Sequence, residues 1–189
     1  MDNVLIASNT NKTLLLLSDL LHEENIARFY AAQNSTQGKE YLTQADFDLV
    51  IIDSPLSDGN GLDLAIDAAE KTRAGIMLIV PPEDFSAMNG KAEEYGIFTL
   101  SHPIKPDFFY QAVRLLNASR KRMLKLQDDN QRLQKKIDET RIIDRAKLIL
   151  VQVLKMTEPQ AQRYIEKQSM DLRQSRIVTA ENILRTYEN

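Results

Sequence analysis

Asp107–Glu158, DFFYQAVRLLNASRKRMLKLQDDNQRLQKKIDETRIIDRAKLILVQVLKMTE, runs for 52 residues without a glycine or a proline. Those two residues are the strongest local breakers of regular structure. The stretch is rich in Leu, Ile, Ala, Lys, Arg, Gln, Asp and Glu, most of them good helix formers. As one helix it would extend roughly 78 Å at 1.5 Å per residue. A compact domain of this size cannot enclose such an element. The spacing therefore predicts a spine with one module at its start and another at its end.

The middle of the spine carries a heptad. Leu116, Met123, Asn130 and Ile137 fall seven apart, with Ser119, Leu126, Leu133 and Thr140 between them. That is the 3,4 spacing of a coiled-coil seam. A buried Asn130 needs a hydrogen-bond partner, and the Asn130 of a parallel, in-register second chain supplies one. It would fix register and two-stranded state at a cost in stability. The competing reading is a long amphipathic helix packed on its own domain. The spine is assigned to residues 110–140.

Composition bounds the rest. Hydrophobic residues make up 43% of the 189, enough for packed cores. There is no cysteine, hence no disulfide framework, thiolate metal site or cysteine nucleophile. The N-terminus MDNVLIASNT has no basic leader, and no apolar run approaches a membrane span. These features predict a cytoplasmic protein without a membrane role. Residues 1–119 carry 8 Lys/Arg and 17 Asp/Glu, whereas residues 120–189 carry 16 and 10. An acidic front and a basic back suggest that the back meets a polyanion; a solvated helical surface gives the same composition.

The front half reads as strand–helix repeats. Asn3–Ser8, Ile26–Ala32, Asp48–Asp53, Gly75–Val80 and Phe98–Ser101 are short apolar runs. Between them lie amphipathic segments. The first, from about Asn11 to Glu24, is capped by Asn9 or Thr10, with a Leu14, Leu17, Leu20, Leu21 stripe. The second, from Ser35 as cap, runs to about Leu42. The third is Leu62–Glu70, and the fourth lies within Glu83–Tyr95. Pro106 opens the spine, where proline is tolerated. Five such repeats predict a doubly wound α/β domain with a five-stranded parallel sheet. Ligand chemistry in such a sheet sits at the carboxyl ends of the strands. Here those ends are Ser8, Asn9, Asp53, Val80, Pro81, Ser101, His102 and Pro103.

This region, about 1–119, resembles a response-regulator receiver domain of the flavodoxin-like class. DLVIIDSPLSDGNGL (48–62) matches the pattern in which the third strand ends on a phosphate-accepting aspartate, at Asp53, with Gly61 eight residues on. HPIKP (102–106) is similar to the fifth-strand turn. The departures are chemical. Receivers carry two acidic residues after the first strand to hold Mg²⁺, and here Ser8 and Asn9 stand there. His102 replaces the lysine, and Ile79 or Val80 replaces the threonine or serine. Phosphoryl transfer to a carboxylate needs cations around the crowded negative charge. The expectation is a degenerate receiver with Asp53 as a relic acceptor. Asp58 reads as a turn residue beside Gly59. His22 reads as a surface residue and His102 as a neutral structural replacement. No cofactor or metal is expected.

After Thr140 the heptad gives way to a wider stripe through Ile143, Ala146, Ile149, Leu150, Val153 and Leu154. Thr157, Pro159 and Gln160 form a stop and restart with a T-x-x-Q capping box. The next helix is expected to bury Ala161, Ile165, Ser169 and Leu172. A last one, within about Arg173–Tyr187, would bury Ile177, Ala180, Ile183 and Leu184. Together with the end of the spine they form an all-α three-helix module, assigned to 135–189. Arg145–Lys147, Thr157–Ala161, Tyr164, Ser169–Asp171 and Ala180 fit the pattern of the ANTAR domain. That domain is the RNA-binding output module of AmiR- and NasR-type antitermination regulators. The resemblance implies binding of hairpin RNA in leader transcripts, and an input from a sensor kinase or a regulatory partner protein.

At 100° per residue, Arg163, Tyr164 and Lys167 share one side of this helix, away from Ile165 and Leu172. Two cations flanking an aromatic suit phosphates and a stacked base. A core-edge Tyr164 with two solvated cations fits the spacing equally. Lys147, Arg173 and Arg176 are further candidate phosphate contacts. Two other functions fit less well: a DNA-binding response regulator, without a helix-turn-helix glycine turn, and a non-catalytic dimeric scaffold. No constellation of nucleophile, zinc ligands or phosphate-cradling loop points to an enzyme.

Overall fold

The computed structural model describes residues 1–22 and 28–187. The expected end of the first helix at Glu24 and start of the second strand at Ile26 lie outside the described residues, as do the last two positions of the back module. The elements run β1 (Asn3–Ser8), α1 (Asn11–His22), β2 (Arg28–Ala32), α2 (Ser35–Gln44), β3 (Leu49–Asp53), α3 (Leu62–Lys71), β4 (Gly75–Val80), α4 (Phe85–Glu94), β5 (Phe98–Ser101), α5 (Pro106–Leu154), α6 (Glu158–Asp171) and α7 (Arg176–Tyr187). The chain divides into two compact units, Met1–Lys125 and Leu126–Asn189.

The first unit is a parallel sheet in the order β2-β1-β3-β4-β5. β3 and β4 are buried at every position, which explains their unbroken apolar sequence. Strand alternation sorts the side chains between two cores. Leu5, Val50, Ile52 and Leu78 pack with Leu64, Ala65 and Ala68 of α3. Val4, Ile6, Leu49, Ile51, Met77 and Ile79 pack with Leu17 and Leu21 of α1 and with Phe109, Ala112, Val113 and Leu116 of α5.

Leu116 corrects the seam. Its heptad position suggested an interhelical role, but it is buried in the sheet's core. A Cβ on Gly75 would lie 3.0 Å from Leu116 Cβ, so the missing side chain there permits the close approach of α5. The exposed apolar line therefore starts at Met123 and continues through Leu126, Leu133 and Ile137, with Asn130 also exposed. The cap of α2 is a second correction: Asn34 Oδ1 accepts from the Gln37 N–H at 2.8 Å, so Asn34 takes the role expected of Ser35.

The second unit packs Ala146 and Leu150 of α5 against Ala161 and Ile165 of α6 and Ala180 and Ile183 of α7. Ile177 and Leu184 are only partly buried. α5 ends at Leu154, and Lys155 follows with φ 55°. The restart holds as expected, with the Thr157 N–H donating to Gln160 Oε1 at 2.8 Å. Leu172 departs from expectation: α6 stops at Asp171, the i+11 periodicity lapses, and the side chain is 60% exposed.

An ion pair fastens α5 to the base of the sheet. The Arg120 guanidinium contacts Asp48 and its Nε donates to the Arg73 carbonyl at 3.0 Å. Asp48 also accepts from the N–H groups of Asp2 and Asn3. Burial alone would raise the Asp48 pKa. The Asp2 N–H, the Arg120 charge and the Asn3 N–H overcome it and hold the carboxyl below its usual 3.8. A folded pKa lowered in this way gives stability that is present above the unfolded pKa and lost as pH falls through the folded one. Arg120→Ala should therefore cost the first unit about 1–3 kcal/mol near neutral pH, less than a fully buried pair because both partners keep some solvent. The difference should shrink below pH 3.8. Urea denaturation of wild type and variant across pH measures both; a gap that does not depend on pH would contradict the assignment.

Candidate functional site

The sheet order reverses between β1 and β3, and the crevice at their carboxyl ends holds the first site. Ser8 lies in register with Asp53, and Asp53 with Ile79. Both polar residues follow the strand face that carries Val4, Ile6, Leu49 and Ile51, so they project to the same side. Ser8 Oγ donates to Asp53 Oδ2 at 2.8 Å, and His102 Nε2 lies 2.7 Å from Asp53 Oδ1. With Asp53 ionised, His102 carries its proton on Nε2 and donates. Asp53 is 5% exposed. The structure thus brings together Asp53, Ser8 and His102. Asn9 is exposed and has no hydrogen bond to Asp53 among the described residues.

These donors do not fit Mg²⁺. A hard cation takes oxygen ligands, usually with one or two carboxylates among them. Here Asp53 is the one carboxylate of the Ser8–Asp53–His102 group, and both its oxygens already accept hydrogen bonds. Among the described residues no group of three His, Asp or Glu side chains is placed to hold a metal. Asp58 has another task, in addition to its place in the turn closed by Leu56 and Gly59. Its carboxylate accepts from the Ser35 N–H at 2.7 Å, the Thr36 N–H at 3.0 Å and the Thr36 hydroxyl at 3.1 Å. The Ser35 bond is the largest of the influences that lower its pKa. It serves the N-terminus of α2, where unpaired N–H groups favour an anion. His22 is exposed, bonded through Nδ1 to the Ser18 carbonyl at 2.8 Å and stacked on Phe29.

The second site lies on α6. Ala161, Ile165 and Ser169 face the bundle core. Arg163 and Lys167 are exposed on the opposite side and make no ion pair or hydrogen bond with any described residue. Tyr164 sits at the flank, half-buried against the core cluster. Two of the other candidate cations are ion-paired. Lys147 Nζ lies 2.7 Å from Asp144 and 3.7 Å from Glu158, and Asp144 chiefly raises its pKa. Arg176 pairs with Glu166 at 3.6 Å. Arg173 lies in the turn rather than in α7, at φ 51°. Its N–H reaches the Met170 carbonyl at 3.2 Å, and the Gln174 N–H reaches the Ser169 carbonyl at 3.0 Å. That is the Schellman closure, whose left-handed position usually carries glycine. The spacing argument missed Met170, which lies on the outward line of Arg163 and Lys167 and is 77% exposed.

The Asp53 geometry has a measurable consequence. Truncation leaves the Ser8 hydroxyl and the His102 N–H without their acceptor, so Asp53→Ala should destabilise the first unit by about 1–3 kcal/mol. Acetyl phosphate with Mg²⁺ should leave the intact mass unchanged. A stoichiometric, Asp53-dependent adduct, or an Asp53→Ala variant as stable as wild type, would contradict this picture.

Residues 131–184 match the ANTAR domain family. The chain is 25% identical over 183 residues to the transcriptional regulatory protein PdtaR of Mycobacterium tuberculosis, in both strain CDC 1551 and strain H37Rv, covering 97% of this chain and 89% of the relative. The first unit is similar in fold to a response regulator receiver domain protein from Clostridium thermocellum, with TM-score 0.58 and 19% identity over 66% of this chain and 99% of that one. It is also similar to the signal receiver domain of an HD domain-containing protein from Pseudomonas fluorescens Pf-5, with TM-score 0.59 and 20% identity over 66% and 92%. A structure titled adenylate cyclase from Rhodopirellula baltica superposes with TM-score 0.62 at 10% identity over 68% and 96%, a likeness of fold alone. The chain thus joins a receiver-like fold to a segment, residues 131–184, that matches the ANTAR domain family.

Proposed function

We propose that this chain is a dimeric antitermination regulator that binds hairpin RNA of leader transcripts through α6, and that Asp53 is not its switch. The observation that carries the RNA reading is the pair Arg163 and Lys167, exposed and unpaired within the ANTAR match while Lys147 and Arg176 are ion-paired. Phosphates take the place of the missing anionic partners. Tyr164 stands beside them, half-buried against the bundle. With both Asp53 oxygens engaged, the input in this reading comes from a partner protein that holds the receiver unit rather than from a phosphoryl group. The absence of a helix long and apolar enough to cross a membrane among the described residues agrees with a cytoplasmic site of action.

Gel shift of the full chain against hairpin RNA and duplex DNA separates the readings. RNA binding that duplex DNA cannot displace supports this one. Preference for the duplex would establish DNA binding, and no shift with either would leave the scaffold. Arg163→Ala and Lys167→Ala should each lower the slope of log affinity against log salt by about 0.7–0.9. Tyr164→Leu, which keeps apolar packing against the bundle, should weaken hairpin binding by about 1–3 kcal/mol if the ring stacks. Unchanged slopes in both cation variants would move the phosphate contacts elsewhere.

The dimer rests on the exposed line of α5. Met123, Leu126, Leu133 and Ile137 are each about half or more exposed in the single chain. A parallel second copy covers them and pairs Asn130 with Asn130. Light scattering at roughly tens of micromolar should give twice the chain mass. Asn130→Leu should raise thermal stability and add higher oligomers. A monomer at that concentration would contradict the dimer.

A further inference from the structure

Three side chains make a single outward line on α6. Arg163, Lys167 and Met170 stand at i, i+4 and i+7, opposite the buried Ala161, Ile165 and Ser169. Met170 is the most exposed large apolar side chain of the bundle, at 77%. Beyond it the turn exposes Leu172 as well, and Arg173 is held in the left-handed region that usually selects glycine. A lone surface methionine needs no explanation. This one closes a row of two unpaired cations and precedes a third that sits in a conformation costly for its type. Two cations followed by an apolar side chain on one line complement consecutive phosphates and the unpaired nucleobase beside them.

We infer that Met170 contacts an unpaired base of the bound RNA, its thioether lying against the base face while Arg163 and Lys167 hold the neighbouring phosphates. The inference rests on the RNA reading above and adds the group that discriminates among loops. It adds to Tyr164, whose ring is partly spent on the bundle core, a second group facing the RNA. A polarizable, unbranched thioether packs well on an aromatic face and adapts to its shape. The cations alone would bind any hairpin of suitable shape, because phosphate contacts position without reading sequence.

The test uses the full chain and a hairpin library with a fixed stem and a randomised loop. Wild type should enrich a subset of loops. Met170→Gln should bind the enriched hairpin roughly tenfold more weakly. It should bind a stem closed by a non-nucleotide linker as wild type does, with an unchanged salt slope, and Met170→Leu should restore most of the affinity. Circular dichroism of both variants should match wild type, since the side chain faces solvent. Wild-type affinity and loop preference in Met170→Gln would overturn the inference while leaving RNA binding intact. An equal loss on the linker-closed stem would overturn it as a base contact. A change of mass in light scattering would overturn it in favour of a second copy seated on this face. Failure of wild type to enrich any hairpin would bring down the RNA reading itself, and the inference with it.

Discussion

Helix α5 gives Phe109, Ala112, Val113 and Leu116 to the core of the sheet and, farther along, Ala146 and Leu150 to the core of the three-helix bundle. From Lys121 to Ile137 it buries no side chain of its own chain. An isolated helical stretch of that kind is marginal in water, because helical stability in proteins comes mostly from packing an apolar face. The same stretch presents Met123, Leu126, Leu133 and Ile137 in heptad spacing. One physical demand, that the middle of a helix secured at both ends find a partner for its apolar line, ties the architecture to the proposed second copy. The Arg120–Asp48 pair is the last firm hold the sheet has on the helix.

The first unit has a receiver-like fold, and the carboxylate at the end of β3 is held in a clasp. In an acceptor site the aspartate must face solvent beside bound cations. Here Ser8 and His102 occupy both oxygens of Asp53, and the carboxylate joins β1, β3 and the turn before α5. The β3–α3 loop is tied down in turn, through Asp58 on the amides of α2 and the Ser57 hydroxyl on the Gln33 carbonyl at 3.2 Å. In the proposed function, this bracing is why the input is assigned to a partner protein that recognises the surface of the crevice.

Much of the fold was legible because periodicity and punctuation agreed. The unbroken apolar runs of β3 and β4, Pro106 and the Thr157–Gln160 restart each had one reading. The failures share a cause: local periodicity does not say which neighbour a side chain meets. Leu116 satisfies a heptad and a core stripe equally, and only the approach of Gly75 decides between them. Leu172 fits i+11 in a helix that has already ended. Arg173 fills a left-handed turn that a sequence reader assigns to glycine. At Asp53 the residue types were readable and the clasp was not, since it needs the register that sets Ser8 beside Asp53 and the turn that brings His102 back. Met170 was read only as part of the Ser169–Asp171 pattern, because its exposure, not its type, is what sets it apart.

On α6 the sorting of cations is the argument for function. Lys147 and Arg176 have acidic partners and serve the bundle, whereas Arg163 and Lys167 have none. Unpaired cations on a rigid helix, within a domain matched over residues 131–184, present a surface shaped for a polyanion. The most direct measurement is sequencing of the RNA that co-purifies with the full chain, beside a control in which Arg163 and Lys167 are both alanine. The account expects wild type to carry a small set of transcripts sharing a hairpin, and the control to lose them. Equal RNA content in the two preparations, or none in either, would contradict it.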